Sequence, residues 1–286
     1  MLSIIVQLLI DGLLMGCIYS LNAVGLSLIF GVVGLINFAY SDFMMIAMYS
    51  CFWLYILVGL DPLFSLPIAM ILCMVLGFIT YKFIIKRVLK APTLAQTLST
   101  FALGIILKNL AVFFFKQDYR LINDPIVSGQ TYISNLALSN AKVFAAVLSI
   151  VATVALMLFL NKTKTGLALR ATAINKQAAS LMGINADRMY LMAYILGSAC
   201  VGIAGAALSN FYYVYPYIAT TFSTITFATI ALGGFGSLEG ALIAGLIIGV
   251  VESFAGFFID SSLKYAVVFA IYFLVIVIRP KGLKGW

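Results

Sequence analysis

Long apolar runs alternate with short polar stretches along most of the chain. The hydrocarbon core of a bilayer is about 30 Å thick and takes about 20 apolar residues to cross as a helix. Nine runs come close to that length, so eight or nine membrane segments are predicted, depending on whether one of them is re-entrant. The candidate crossings are residues 12–31, 36–59, 63–81, 94–115, 143–161, 189–212, 218–236, 238–258 and 264–279.

The form of these runs indicates helices. A membrane β-barrel shows segments of about 10 residues that alternate in hydrophobicity, whereas this chain has continuous stretches such as "VFAAVLSIVATVALMLFL". Helices satisfy every backbone hydrogen bond within one segment, as the bilayer interior requires. The predicted fold is an all-α, polytopic helical membrane protein that can include a broken or re-entrant helix. It forms a single transmembrane domain over residues 1–286.

Composition and charge agree with a membrane location. The chain is 64% hydrophobic and 9% charged, whereas a soluble domain is about half apolar and about a quarter charged. The net charge of +8 does not indicate nucleic acid, because the basic residues cluster where membrane topology explains them. By the positive-inside rule, the clusters in residues 82–90, 162–188 and 279–284 are cytoplasmic. The C-terminus is then inside, and the N-terminus is outside only if all nine segments cross.

One polar island, defined here as residues 166–185, interrupts the apolar pattern within a loop of about residues 162–188. A short amphipathic helix is predicted from Ile174 to Met182, about 13 Å long and too short to span. Asn175 is a candidate cap near its start, and Gly183 is placed to end it. The apolar face comprises Ile174, Ala178, Leu181 and Met182, and the polar positions include Arg170, Lys176, Gln177 and Ser180. Two interpretations remain open: a connector at the lipid surface, or a docking helix for a cytoplasmic protein.

Two apolar segments contain ionisable residues. The stretch "INFAYSDFMM" places Asn37, Tyr40, Ser41 and Asp42 within or near the bilayer. Such groups are expensive there and by default face a protein interior or a water-filled path. We favour a broken helix that lines a pathway, with Asp42 as a helix-entrance cap as the alternative. Glu252 either lines the same path or makes an interhelical hydrogen bond.

Small residues at four-residue spacing predict close helix packing. They occur at positions 198, 202 and 206 and again at 241, 245 and 249. The glycine-rich stretch "GGFGSLEG" lacks a preceding strand, so we interpret it as a tight turn and not as a phosphate-binding loop. The chain has no histidine, and its four cysteines lack metal-ligand or redox spacing. A catalytic role therefore has little support.

Four stretches together resemble the permease subunits of high-affinity branched-chain amino acid ABC importers, most closely the shorter of that system's two permeases. They are "GLSLIFGVVGLINFAYSDFMMIAMY", "RATAINKQAASLMGIN", "LGSACVGIAGAALSNFYYVYPYI" and "ALGGFGSLEGALIAGLIIGVVES". The similarity runs in order over nearly the whole chain. It implies a multi-pass inner-membrane protein that works with a second, longer permease, two cytoplasmic ATPases and a periplasmic binding protein.

The resemblance also implies that the loop from Arg170 to Asn185 docks into the ATPase. The chain itself binds no cofactor, since ATP and Mg²⁺ belong to the ATPases and no Walker motif occurs here. Two departures affect specificity. The family typically has His, Gly and Glu where this chain has Tyr40, Ser41 and Asp42, and an acidic pair in place of Ile174 and Asn175. The first leaves the substrate open, and the second indicates a matched ATPase.

Three alternatives remain beside a branched-chain amino acid importer. A permease of the same family could carry amides or urea. A self-sufficient carrier could use Asp42 and Glu252 as ion-coupling carboxylates. An intramembrane enzyme is the weakest of the three, because the residues for acid–base chemistry are missing.

Overall fold

The computed structural model describes residues 2–123, 125–133, 136–260, 263–279 and 282–284. Seven helices are long and apolar enough to cross a membrane, and two shorter apolar helices bring the number within the described residues to the nine predicted. In chain order the elements are α1 (Leu2–Val33), α2 (Tyr40–Val58), α3 (Pro62–Val88), α4 (Thr93–Phe115), β1 (Gln130–Ile133), β2 (Leu136–Ser139), α5 (Asn140–Lys162), α6 (Lys164–Ile174), α7 (Lys176–Leu181), α8 (Ala186–Leu208), α9 (Ile218–Gly233), α10 (Leu238–Phe258) and α11 (Lys264–Ile278).

Local sequence signals set several helix ends. Asp61 caps α3 by accepting a hydrogen bond from the Leu63 amide, and Pro62 follows at the first helical position, where its missing N–H is not needed. Residues 80–85 of α3 form a π-helical turn. The stretch "GGFGSLEG" is the tight turn expected between α9 and α10, and Ser237 caps α10 by accepting from the Gly240 amide.

Small residues bring the central helices into backbone contact, as the four-residue spacing predicted. Gly245 and Gly249 of α10 pack on α1, and a Cβ at Gly249 would overlap Gly12 and Gly16. Gly202 of α8 packs on α3 in the same way, since an added Cβ would lie 3.0 Å from the Met70 Cα. Because glycine has no side chain, these apolar helices approach closely enough for dispersion contacts to hold them together.

The core is built from α1, α2, α8, α9 and α10, whereas α4 lies at the edge of the bundle. Only Thr100, Gly104 and Ala111 of α4 are buried. Thr100 bonds to Ile36 and Phe38 in the break between α1 and α2, and Gly104 lies against Asp42 of α2. Most of the α4 surface is therefore open in this single chain.

The two ends of the bundle are distinct. At one end, the Gln7 side chain of α1 bonds to the main chain of Ala137 in β2, and the antiparallel β1–β2 hairpin lies beside it. At the other end, the Lys284 main chain bonds to Gly233, near the island. The start of α1 therefore lies opposite the C-terminal tail, as nine full crossings require. The first crossing is longer than the predicted 12–31, because polar residues near its start bond to the hairpin and to α5.

Candidate translocation site and coupling surface

The chain breaks between α1 and α2 and turns back into the bundle. Gly34 adopts a positive φ of 75°, and the Asn37 side chain then accepts a hydrogen bond from the Ala39 amide at 3.1 Å. An Asn side chain that bonds two residues ahead mimics a backbone turn. The turn starts α2 at Tyr40, whose neighbours Gly25 and Gly197 lie well inside α1 and α8. The motif therefore lies in the connection between two separate helices, because α2 runs without interruption from Tyr40 to Val58. A broken helix that lines a pathway stays a prediction.

Tyr40 holds this break in place. Its hydroxyl donates to the Gly197 carbonyl of α8 at 3.0 Å, and a Cβ at Gly25 of α1 would collide with the same hydroxyl. Asn37 and Ser41 are also buried. Tyr40 therefore lies at the junction of α1, α2 and α8 and fixes the start of the helix that carries Asp42.

Asp42 faces α4. Its Oδ1 lies 3.6 Å from Nζ of Lys108, and its carboxyl group is buried. Gly104 gives it room, because a Cβ there would lie 2.5 Å from Oδ2. Asp42 does not serve as the cap considered above: the cap position is Ala39, without a side-chain hydrogen bond, and Asp42 lies in the first turn. Sequence reasoning missed Lys108, although a lysine inside the 94–115 run was a visible signal.

An apolar crevice of about 250 Å³ opens between α2 and α4 next to this pair. Ile46 lies one turn beyond Asp42, and Leu107 and Ala111 flank Lys108 on α4. The complete lining is Ile46, Tyr49, Ser50, Trp53, Leu72, Leu107, Leu110, Ala111, Phe114 and Phe115. The site thus combines two opposite charges with an adjoining apolar surface.

The open surface of α4 carries polar groups at membrane depth. The side chain of Lys108 is 25% exposed, and Asn109 is exposed and donates only to its own helix, at the Ile105 carbonyl. Polar side chains in this position are expected to face protein or a water-filled cavity and not lipid. We therefore expect the polar face of α4 to contact protein or water and not lipid hydrocarbon.

Glu252 belongs to a different interface. Its Oε2 accepts a 2.6 Å hydrogen bond from the Tyr19 hydroxyl of α1, and its Oε1 lies 2.6 Å from Lys264 Nζ of α11. The carboxylate therefore ties α1, α10 and α11 together. Of the two interpretations of Glu252, interhelical hydrogen bonding is the one that the contacts match, and Glu252 does not join the group around Asp42.

The polar island folds as two short helices and not as the single helix predicted from Ile174. Asn175 has extended backbone angles and separates α6 from α7, so Ile174 is the last residue of α6. The Asn175 side chain caps α7 by accepting from the Ala178 amide at 3.0 Å. Gly183 ends the segment with a φ of 81°, as its position predicted. The apolar periodicity did not reveal that the cap itself interrupts the helix.

The island presents bulky apolar side chains away from the bundle. Ile174, Leu181 and Met182 are 76%, 89% and 82% exposed, and Ala178 is exposed between them. The polar neighbours are held by specific contacts: Arg170 donates to Asn161 at 2.6 Å, and Lys176 Nζ lies 5.1 Å from the Tyr190 ring centre. All four residues of the predicted face are therefore exposed, but so are their polar neighbours, and Ile174 belongs to a different helix from Ala178 and Leu181. That these four form one docking face stays a prediction.

The island is anchored to α3 at its exit. Asp187, in the first turn of α8, accepts a 2.5 Å hydrogen bond from Tyr81 and lies 2.7 Å from Lys86 Nζ. Tyr81 stands in the π-helical turn of α3. A displacement of the island would therefore also move the start of α8 and its contacts with α3. These contacts were not predicted from the sequence.

Within the described residues, seven helices long enough to cross a bilayer, two shorter apolar helices and a charged pair beside an apolar crevice define a polytopic helical membrane protein. The fold is similar to that of PsaBC from Streptococcus pneumoniae, solved in complex with Fab. The TM-score is 0.53 at 14% identity, and the alignment covers 96% of this chain and 93% of that chain.

Sequence comparison identifies the family. The family described as branched-chain amino acid transport system, permease component, matches residues 8–278, so the chain belongs to it. The high-affinity branched-chain amino acid transport system permease protein LivH of Escherichia coli (strain K12) is 30% identical over 292 residues, covering 98% of this chain and 95% of that protein. The corresponding BraD protein of Pseudomonas aeruginosa is 29% identical, with the same coverage. A probable LivH of Methanocaldococcus jannaschii is 28% identical over 93% of this chain and 88% of that protein.

Proposed function

We propose that the chain is a permease subunit of an ABC importer that moves branched-chain amino acids across the cell inner (plasma) membrane. The observation that carries this proposal, beside family membership, is the exposed apolar surface of the island. The chain acts as one transmembrane domain and leaves ATP and Mg²⁺ to partner ATPases. The start of α1 and the hairpin face the periplasm, and the island and the C-terminal tail face the cytoplasm, as the basic clusters favour.

The exposed side chains of the island suit a protein partner. Exposed leucine and methionine side chains that are fixed by a capped helix and rimmed by polar residues mark interaction sites. A helix that lies on lipid usually carries a strongly basic polar face, whereas α7 contains one basic residue, Lys176. We therefore assign the surface formed by Arg170, Ile174, Asn175, Lys176, Ala178, Leu181, Met182 and Gly183 to ATPase docking.

Other surfaces suit the remaining partners. The polar groups on the open face of α4 would be covered by the second, longer permease subunit or by water in a path between the two subunits. The hairpin and the aromatic cluster around Tyr119, Tyr213 and Tyr215 lie on the periplasmic side in this orientation. There a binding protein would deliver substrate. The rest of the apolar perimeter contacts membrane lipid.

The charge pairs argue against an ion-coupled carrier. Lysine ammonium groups lie 3.6 Å from Asp42 and 2.6 Å from Glu252. Each ammonium occupies the position that a coupling cation would need, so cation binding would require loss of an ion pair. A docking surface for a cytoplasmic protein also has no role in a carrier that works alone.

Reconstitution tests the proposal. The chain would be placed in proteoliposomes with the second permease, the ATPases and the binding protein encoded beside it, and uptake of labelled leucine, isoleucine, valine and urea would be measured. We expect ATP-dependent uptake of the three amino acids. Uptake of urea alone would indicate an amide or urea permease, and uptake without ATP that stops when the proton gradient collapses would indicate a carrier.

A further inference from the structure

The Asp42–Lys108 pair is incompletely satisfied. The 3.6 Å separation of Oδ1 and Nζ exceeds the length of a hydrogen bond, and Oδ1 has no hydrogen-bond partner within the described residues. Burying two charges is stabilising only when good geometry and further hydrogen bonds offset their desolvation. The Glu252 carboxylate, by comparison, makes two contacts of 2.6 Å. The Glu252 carboxylate is therefore fully paired, whereas the Asp42 carboxylate can still accept a hydrogen bond at Oδ1.

We propose that Asp42 and Lys108 form a transient binding site for the ammonium and carboxylate groups of a zwitterionic amino acid. The inference rests on the proposed function. The substrate ammonium would pair with Asp42, and the substrate carboxylate would pair with Lys108. Each protein group then exchanges one opposite charge for another, so a zwitterion can enter the apolar interior without leaving a charge unpaired.

The adjoining crevice suits the aliphatic end of such a substrate. It measures about 250 Å³ and is lined by apolar side chains close to the pair, among them Ile46 and Leu107. This volume falls below the roughly 300–1,000 Å³ of sites for drug-sized ligands, so it suits one small side chain. Urea and amides carry neither charge, so they would gain little from the pair.

The helix α4 is placed to open the site. Its contact with α2 is maintained by few buried residues, and the absence of a side chain at Gly104 lets the Asp42 carboxyl group approach its backbone. The Lys108 side chain is 25% exposed, so its ammonium lies between the buried carboxyl group and the open face of α4. A small outward movement of α4 would therefore separate the pair and admit the substrate between the two groups.

A charge-neutralisation cycle tests the inference in the reconstituted importer. Asp42→Asn, Lys108→Gln and the double variant are compared with Glu252→Gln, Lys264→Gln and their double variant. A merely structural pair is relieved when both charges are removed, because no unpaired charge remains. We expect leucine uptake at least about tenfold lower in all three variants at Asp42 and Lys108, since tenfold corresponds to about 1.4 kcal/mol. The control double variant should recover towards the wild-type rate.

A second measurement avoids changing the pair. Trp53 lines the crevice, and the chain contains two tryptophans, so Trp286→Phe leaves Trp53 as the only one in this subunit. The complex is assembled with tryptophan-free partner subunits and without binding protein. We expect leucine to shift Trp53 emission in a saturable manner, and isobutylamine and urea to leave it unchanged.

The outcomes separate this inference from the proposed function. Wild-type uptake of leucine by the double variant Asp42→Asn/Lys108→Gln would overturn the site and leave the importer function intact. An equal Trp53 response to leucine and to isobutylamine would also overturn it, because recognition would then need no carboxylate. If the wild-type complex moves none of the branched-chain amino acids, the proposed function itself is wrong.

Discussion

Among the exposed side chains of the island, we expect Leu181 to contribute most to ATPase binding. This side chain is 89% exposed in the single chain, so a docked ATPase would remove nearly all of it from water. Leu181→Ala deletes three carbon atoms from the contact. At about 0.8 kcal/mol per buried CH₂ the loss is about 2 kcal/mol, which corresponds to about a 30-fold higher Kd for the ATPase.

The permease itself should be unaffected by this change. An exposed surface substitution usually changes folding stability by less than about 0.5 kcal/mol, so insertion and thermal unfolding of the permease complex should match the wild type. The assay is titration of purified ATPase against permease in lipid nanodiscs, read by fluorescence anisotropy. Leu263→Ala is the matched control, because Leu263 is 54% exposed and lies just before α11, at the hairpin end of the bundle.

Docking through the island is refuted if Leu181→Ala and Leu263→Ala bind the ATPase equally well. Equal binding would mean that the island contributes no apolar contact to docking, and the interpretation as a connector at the lipid surface would replace ours. A loss of affinity with both variants would indicate a general effect of the substitutions on the complex. Either result is visible without any transport measurement.

Further substitutions test neighbouring parts of the argument. Ala178→Trp should overpack the docking contact by about 1–3 kcal/mol and lower ATPase co-purification, with insertion unchanged. Asn175→Ala removes the cap of α7, which is worth about 0.5–2 kcal/mol, so ATPase affinity should fall by a few fold; equal affinity would show that the helix needs no cap. Gly249→Val places a side chain against the α1 backbone, so the midpoint of thermal unfolding in detergent should fall, and an unchanged midpoint would contradict the packing. Gly104→Ala puts a Cβ 2.5 Å from the Asp42 carboxyl group, so uptake should fall although the complex assembles. Normal uptake would show that the geometry of the Asp42–Lys108 pair does not affect transport.

The membrane helices could be predicted because each depends on its own sequence. An apolar run of sufficient length inserts whatever its neighbours are, which is why the nine candidate crossings correspond to nine helices within the described residues. Part of the helix packing could also be predicted, because small residues at four-residue spacing, such as Gly245 and Gly249, mark the face on which two helices approach closely. The break before α2 was indicated by polar residues in an apolar segment.

The contacts between distant residues could not be predicted. Asp42 and Lys108 are far apart in sequence, and helical periodicity does not say which face of α4 turns towards α2. The anchoring of Asp187 by Tyr81 depends on a π-helical turn, which shifts the register of side chains in a way that no hydrophobic pattern shows. The end of α6 at Ile174 was missed because Asn175 serves as both the end of one helix and the cap of the next.

Tyr40 and Asp42 act together in the structure. Tyr40 fits only because Gly25 has no side chain where the phenol hydroxyl lies, and its bond to Gly197 fixes the start of α2. With that start fixed, the aspartate side chain reaches α4 where Gly104 leaves room. Lys108 then meets it at 3.6 Å, close enough for attraction but beyond hydrogen-bonding distance. A shift of either helix would change this separation, so the Asp42–Lys108 pair responds to movement of α4, whereas Glu252 holds α1, α10 and α11 together through two short contacts.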